Sequence, residues 1–136
     1  MVEIRGVIQK GVGQGAYFTV LDWVVEQFER AMGEKPFPGT LNVRVSDEDI
    51  PKLEAFFSKK DFEIVPRDTQ FCSAALKKVK VNGLLGAAVF PSQDVRIHGK
   101  EVIEVMSSLP IKKTLQLSDG DEVIISSLDS GLQQKG

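Results

Sequence analysis

Thr40 and Asn42 close the segment Gly33-Glu34-Lys35-Pro36-Phe37-Pro38-Gly39-Thr40-Leu41-Asn42-Val43, and their spacing is the first in the chain that suggests chemistry. In an extended strand, residues two apart share a face, so a hydroxyl and a carboxamide oxygen lie side by side while Leu41 and Val43 turn the other way. Paired neutral oxygens suit a hard cation such as Mg²⁺, whose charge is balanced mainly by substrate phosphates and whose other positions stay with water. The prolines and glycines ahead of the pair fix a rigid, unusual backbone path. A proline-stiffened turn with solvent-facing polar residues is the plainer reading of the same letters, and both stay open at this point.

Three further stretches carry candidate chemistry. Gly11-Val12-Gly13-Gln14-Gly15-Ala16-Tyr17-Phe18 has glycine at every second position, which lets backbone amides approach a phosphate, although it lacks the Lys and Ser/Thr of a P-loop and also reads as a flexible connection. Glu104, in Val102-Ile103-Glu104-Val105-Met106, is a carboxylate sharing a strand face with Val102 and Met106; it either meets a ligand's hydroxyls or ring nitrogen or projects from a strand edge. Lys112 and Lys113 follow Pro110 and either reach a phosphate or are solvated. Cys72, the single cysteine, reads as a buried apolar side chain, and the lone His98 as solvent-facing. No residue stands out as a general base.

The elements that must position these groups are short. Residues 2–8 alternate apolar and polar as a first strand, with a bulge or close backbone approach at Gly6. Asp22 is a candidate cap for a helix over 23–32, closed by Gly33. Residues 40–45 form a strand, Ser46 and Asp49 a shortened-acid capping box opening a helix through about Phe57, and 62–65 a strand closed by Pro66. Strand candidates at 71–81 and 84–90 flank Asn82-Gly83, the strongest hairpin signal in the chain. Strands at 102–106 and 123–125 follow, the second after the turn Asp119-Gly120-Asp121. Many strands with few helices predict a mainly β fold, an antiparallel or mixed barrel decorated by helices.

A chain of 136 residues suits one domain, taken as 1–128 with a tail at 129–136. With 17 basic and 19 acidic residues the formal net charge is −2, so no basic field is available to hold nucleic acid. One cysteine excludes an intrachain disulfide, and no stretch has the roughly 20 apolar residues of a membrane span. A cytoplasmic monomer acting on small molecules, without nucleic-acid or membrane partners, is the expectation.

The order of motifs, 11–18, then 36–43, then Glu101-Val102-Ile103-Glu104-Val105, then Leu117-Ser118-Asp119-Gly120-Asp121, resembles the archaeal-type CTP-dependent riboflavin kinases over about Gly6 to Ile125. The resemblance implies a cradle-loop β-barrel that transfers a phosphoryl group from CTP to the 5′-hydroxyl of riboflavin, giving FMN and CDP with Mg²⁺. It also implies that Val12, Gly13, Gln14, Gly15, Ala16 and Tyr17 line the nucleotide, that Leu109, Pro110, Ile111 and Lys112 close over it, that Thr40 and Asn42 hold Mg²⁺, and that Glu104 contacts the flavin. The chain departs from the family pattern at Ala16, where a basic residue is common, and at Ser107-Ser108, where the family has Ala-Pro. In the 92–99 loop, Asp94 is the nearest counterpart of a flavin-touching threonine. A non-catalytic barrel that binds a flavin or nucleotide as sensor or carrier is the alternative these departures favour.

Overall fold

The computed structural model describes residues 2–11, 14–67, 73–91 and 101–128. Cys72, Asp94, His98 and the segment 129–136 lie outside the described residues, as do Val12 and Gly13. Among the described residues seven strands are seen: β1 (Glu3–Gln9), β2 (Leu41–Val45), β3 (Phe62–Ile64), β4 (Ala74–Val81), β5 (Leu84–Pro91), β6 (Val102–Met106) and β7 (Glu122–Ser127). Every pairing is antiparallel, which decides between the antiparallel and mixed barrels that periodicity left open. The order β4-β5-β6-β2-β1-β7 closes on itself because the second half of β4, Val79 to Val81, pairs with β7. The first half of the same β4 edge, Ala74 to Leu76, pairs with β3. The result is a closed six-stranded barrel with β3 outside the ring.

Inside the ring, side chains at alternate positions form one core, including Ile4 and Ile8 of β1, Val43 and Val45 of β2, Ile103 and Val105 of β6, and Val123 and Ile125 of β7. The interior reaches closely packed distances only because Gly6 has no side chain: a Cβ there would come within 2.6 Å of the Arg44 carbonyl oxygen on β2. Asn82 and Gly83, at φ 47° and 90°, make the tight turn between β4 and β5 that their residue types demand.

Helix α2 (Asp22–Met32) covers part of the outer wall, where Trp23, Val24 and Phe28 pack on Ile64, Leu76, Ala87 and Met106. Full burial of Phe28 alone contributes on the order of 2–3 kcal/mol. The helix ends as expected at Gly33, φ 91°, whose N–H donates to the Glu29 carbonyl at 2.8 Å. Its start differs from expectation. Leu21 occupies the cap position, and Asp22, in the first turn, pairs with Arg67 at 3.1 Å instead of capping. The Gln27 carboxamide donates to the Val65 carbonyl and accepts from the Val65 N–H, both at 2.8 Å, which ties α2 to the chain leaving β3.

The segment after β2 also departs from the expected single helix. Residues Asp47–Lys52 form a 3₁₀ turn containing Pro51, and only Leu53–Phe56 (α3) is α-helical, because a proline supplies no N–H for a continuous helix. Asp49 does not close a capping box with Ser46. It is 1% exposed and turns to β1, accepting the Arg5 backbone N–H at 2.7 Å and the Arg5 guanidinium at 3.1 and 3.2 Å, with the Lys52 ammonium 3.2 Å away. Hydrogen bonds from the Arg5 side chain and backbone hold its carboxyl well below the usual carboxylate range. A depressed folded-state pKa contributes stability above the unfolded value of about 4 and loses it as pH falls below that value. Urea midpoints taken between pH 7 and pH 2 are therefore expected to drop for the wild type below pH 4. Asp49→Asn should be weaker at neutral pH by on the order of 1 kcal/mol and flatter through the acid range. An unchanged acid slope in the variant would show that Asp49 is not the group responsible.

Candidate functional site

The groups singled out by spacing gather at one end of the barrel. Thr40 directly precedes β2, and Asn42 stands on the outward-facing side of that strand, opposite Glu104 of β6 in the antiparallel register. The Thr40 hydroxyl donates to Glu104 Oε1 at 3.1 Å. A hydroxyl has one proton and two lone pairs, so this donation leaves the Thr40 oxygen free to accept or to ligate. Glu104 is exposed, and Met106, two residues on, is buried under α2. Hard neutral oxygens from a hydroxyl and a carboxamide on adjoining positions fit a divalent cation that retains water, so the Thr40 and Asn42 donor set is compatible with Mg²⁺.

Gly11 explains how the Asn42 side chain finds room. A Cβ on Gly11 would collide with Asn42 Nδ2. The glycine expected to admit a ligand to the backbone thus first admits a neighbouring carboxamide. The described part that follows, from residue 14, is helical where a flexible connection was one of the two expectations. Residues Gln14–Phe18 form a short helix, α1, because the alternation of glycines ends at Gly15 and Ala16, Tyr17 and Phe18 follow; the Phe18 ring packs edge-on against Trp23 at 6.1 Å between centroids. Ala16 and Tyr17 are exposed on it.

A cleft of about 270 Å³ opens beside Thr40. One wall is the turn at 36–39 and the other is Leu109 and Pro110 with Ile111 and Lys112 of α4 (Ile111–Leu115), and Val105 and Leu41 lie between them. Ser107 joins the walls. Its carbonyl accepts the Phe37 N–H at 2.7 Å, its hydroxyl donates to the Leu85 carbonyl at 2.9 Å, and the same hydroxyl accepts the Leu109 N–H at 3.2 Å. Lys112, at the rim, is paired with Asp119 at 3.0 Å. In the turn 119–121, Asp121 accepts the Ser118 N–H at 2.8 Å, beside Gly120 at φ 97°.

The structure therefore brings Thr40, Asn42 and Glu104 together, and Thr40 together with Leu109, Pro110, Ile111 and Lys112. Sequence reasoning missed Thr19, a buried hydroxyl touching both α1 and the turn at Gly39, and the bridging part played by Ser107. Only Ser107 carried a signal, as a departure from a known pattern.

These features define a single-domain, closed antiparallel β-barrel with a ligand-sized cleft and a cluster of oxygen donors at one end. The chain belongs to the CTP-dependent riboflavin kinase family, whose model, described as a domain of unknown function, DUF120, matches residues 8–126. The chain is 37% identical over 130 residues to a riboflavin kinase of Methanococcoides burtonii, covering 91% of this chain and 56% of the relative. A riboflavin kinase of Archaeoglobus fulgidus is 34% identical over 131 residues, covering 90% of this chain and 53% of the relative. One from Methanobrevibacter smithii is 31% identical over 125 residues, covering 91% and 98% respectively. The chain thus spans about half the length of the first two relatives and nearly all of the third. Among the described residues, no helix is long and apolar enough to cross a membrane.

If Gly11 is what seats the Asn42 carboxamide, Gly11→Ala should displace that side chain while the barrel stays folded, since the atom it strikes is the end of a flexible side chain. The expected result is a loss of stability within about 1 kcal/mol together with a moved Asn42 side-chain amide resonance. An unmoved Asn42 resonance would refute the packing argument.

Proposed function

We propose that this protein is a riboflavin kinase that uses CTP, with Mg²⁺, to make FMN and CDP. The observation that carries the reading is the position of Thr40: it lines the cleft with residues 109–112 and donates to Glu104, so the segments assigned by family resemblance to nucleotide, metal and flavin converge on one side chain. In the reaction the riboflavin 5′-hydroxyl oxygen bonds to the γ-phosphorus, the bond from that phosphorus to the β–γ bridging oxygen breaks, CDP leaves, and the hydroxyl proton passes to solvent.

Mg²⁺, when bound, supplies charge neutralisation to the phosphate oxygens. Thr40 and Asn42 would hold it, with the Thr40 proton directed at Glu104 so that its oxygen lone pairs are available. Glu104 is left with a second carboxylate oxygen and further lone pairs to accept from flavin hydroxyls. The nucleotide would lie along 12–17 and under 109–112, where Lys112 and Lys113 are the cations at the cleft and Ala16 adds none. Lys112 must exchange Asp119 for a phosphate, a small cost for an ion pair whose members are both nearly half exposed. Positioning dominates catalysis of phosphoryl transfer, so a site of neutral oxygens, backbone and one or two lysines is sufficient in kind.

Incubation with riboflavin, Mg²⁺ and each nucleoside triphosphate in turn, with FMN resolved by chromatography, tests activity and donor together. FMN from CTP and little from ATP is expected. Riboflavin binding without FMN from any donor would overturn the reading in favour of a flavin sensor or carrier. In the same assay Thr40→Val and Asn42→Leu should each lower turnover on the order of 10²-fold while leaving thermal unfolding near that of the wild type. Wild-type turnover in both variants across a Mg²⁺ titration would remove these residues from the metal site.

A further inference from the structure

Within the turn at 36–39 only two residues carry a backbone N–H, because Pro36 and Pro38 have none. The Phe37 N–H is taken by the Ser107 carbonyl, a main-chain acceptor that does not depend on side-chain identity. The Gly39 N–H is taken at 2.7 Å by Thr19 Oγ1. That hydroxyl is 1% exposed, and it donates in turn to the Ala16 carbonyl at 3.2 Å, closing the last turn of α1. Gly39 itself has φ 105°, and a Cβ built on it would meet nothing within 4 Å, so no neighbour crowds its side-chain position. The hydrogen bond to Thr19 anchors this peptide on the path that Pro36 and Pro38 restrict.

We infer that Thr19 is a positioning residue that keeps α1 in register with Thr40, and thereby couples the nucleotide side of the site to its metal side. The inference rests on the kinase reading for its assignment of the two sides. One oxygen atom spans the two segments, and both its donor and one of its acceptor positions are used by them. Loosening it would let the peptide before Thr40 swing, and sub-ångström placement governs the rate of in-line transfer.

Thr19→Val keeps the shape and removes both hydrogen bonds, and Thr19→Ser restores a hydroxyl. Two measurements on the full chain, well below each variant's unfolding temperature, separate coupling from mere stability: kcat and KM for riboflavin and CTP, and calorimetric titration of CTP with and without Mg²⁺. Thr19→Val should lower kcat about 10-fold or more with KM for riboflavin within about 2-fold, and should weaken the enhancement of CTP binding by Mg²⁺ about 5-fold, with Thr19→Ser recovering both to within about 3-fold. Thr19→Cys, close in size and a weaker acceptor, should fall between them and serves where Thr19→Val does not fold. A lowered melting temperature with wild-type kcat and wild-type Mg²⁺ enhancement, in Thr19→Val or in Thr19→Cys, overturns the inference, as does failure of Thr19→Ser to recover. A wild type that makes no FMN but shows Mg²⁺-enhanced CTP binding that Thr19→Val loses would sink the kinase reading and leave the coupling standing.

Discussion

In Pro36-Phe37-Pro38-Gly39 the prolines both fix the backbone path and leave just two amides to donate, and each of those amides ends on a different neighbour. Phe37 is fastened to the end of β6, and Gly39 to the hydroxyl beyond α1. Everything the cleft offers depends on this pair of anchors, since they set where Thr40 enters β2. Ser107 extends the arrangement: the residue whose carbonyl accepts from Phe37 also holds the Leu85 carbonyl and the Leu109 N–H through its hydroxyl, so β5, β6, the turn and the wall carrying Lys112 meet at one small residue.

The barrel interior determines the chemistry outside it. Asn42 faces Glu104 because Leu41 and Val43 face the core against Val105 and Ile103, and a slip of one residue between β2 and β6 would bury the polar set and expose the apolar one. β2 and β6 are each paired on both edges, to β1 and β5 as well as to each other, which makes such a slip costly. At the other end of β1, the buried Asp49 holds the 3₁₀ turn through Arg5 without touching the cleft.

Much of this was legible in the letters. Alternation located β1, short apolar runs beside turn residues located β2, β6 and β7, Asn82-Gly83 located the hairpin, and Gly33 located the end of α2, because each of these is fixed by neighbours in sequence. The alternating face also put Asn42 on the side of β2 that meets Glu104, with Thr40 just ahead of the strand rather than in it. What was not legible is non-local. Asp22 and Asp49 look like caps from their immediate context, yet Arg67 and Arg5, both more than forty residues away in sequence, claim them. The glycine-rich stretch reads as a loop until Phe18 is seen against Trp23 and Thr19 against Gly39. No spacing rule pairs a threonine with an amide twenty residues on.

β3 lies outside the closed ring, and a strand so placed offers its outer backbone as a template for another chain. Just past its end, the Gln27 carboxamide occupies both the N–H and the C=O of Val65, imitating the peptide group of an adjoining strand. A side chain from α2 thereby fills the place that an intruding strand from a second molecule would take. The same helix that buries the outer wall of the barrel therefore also occupies the peptide group at the mouth of this edge.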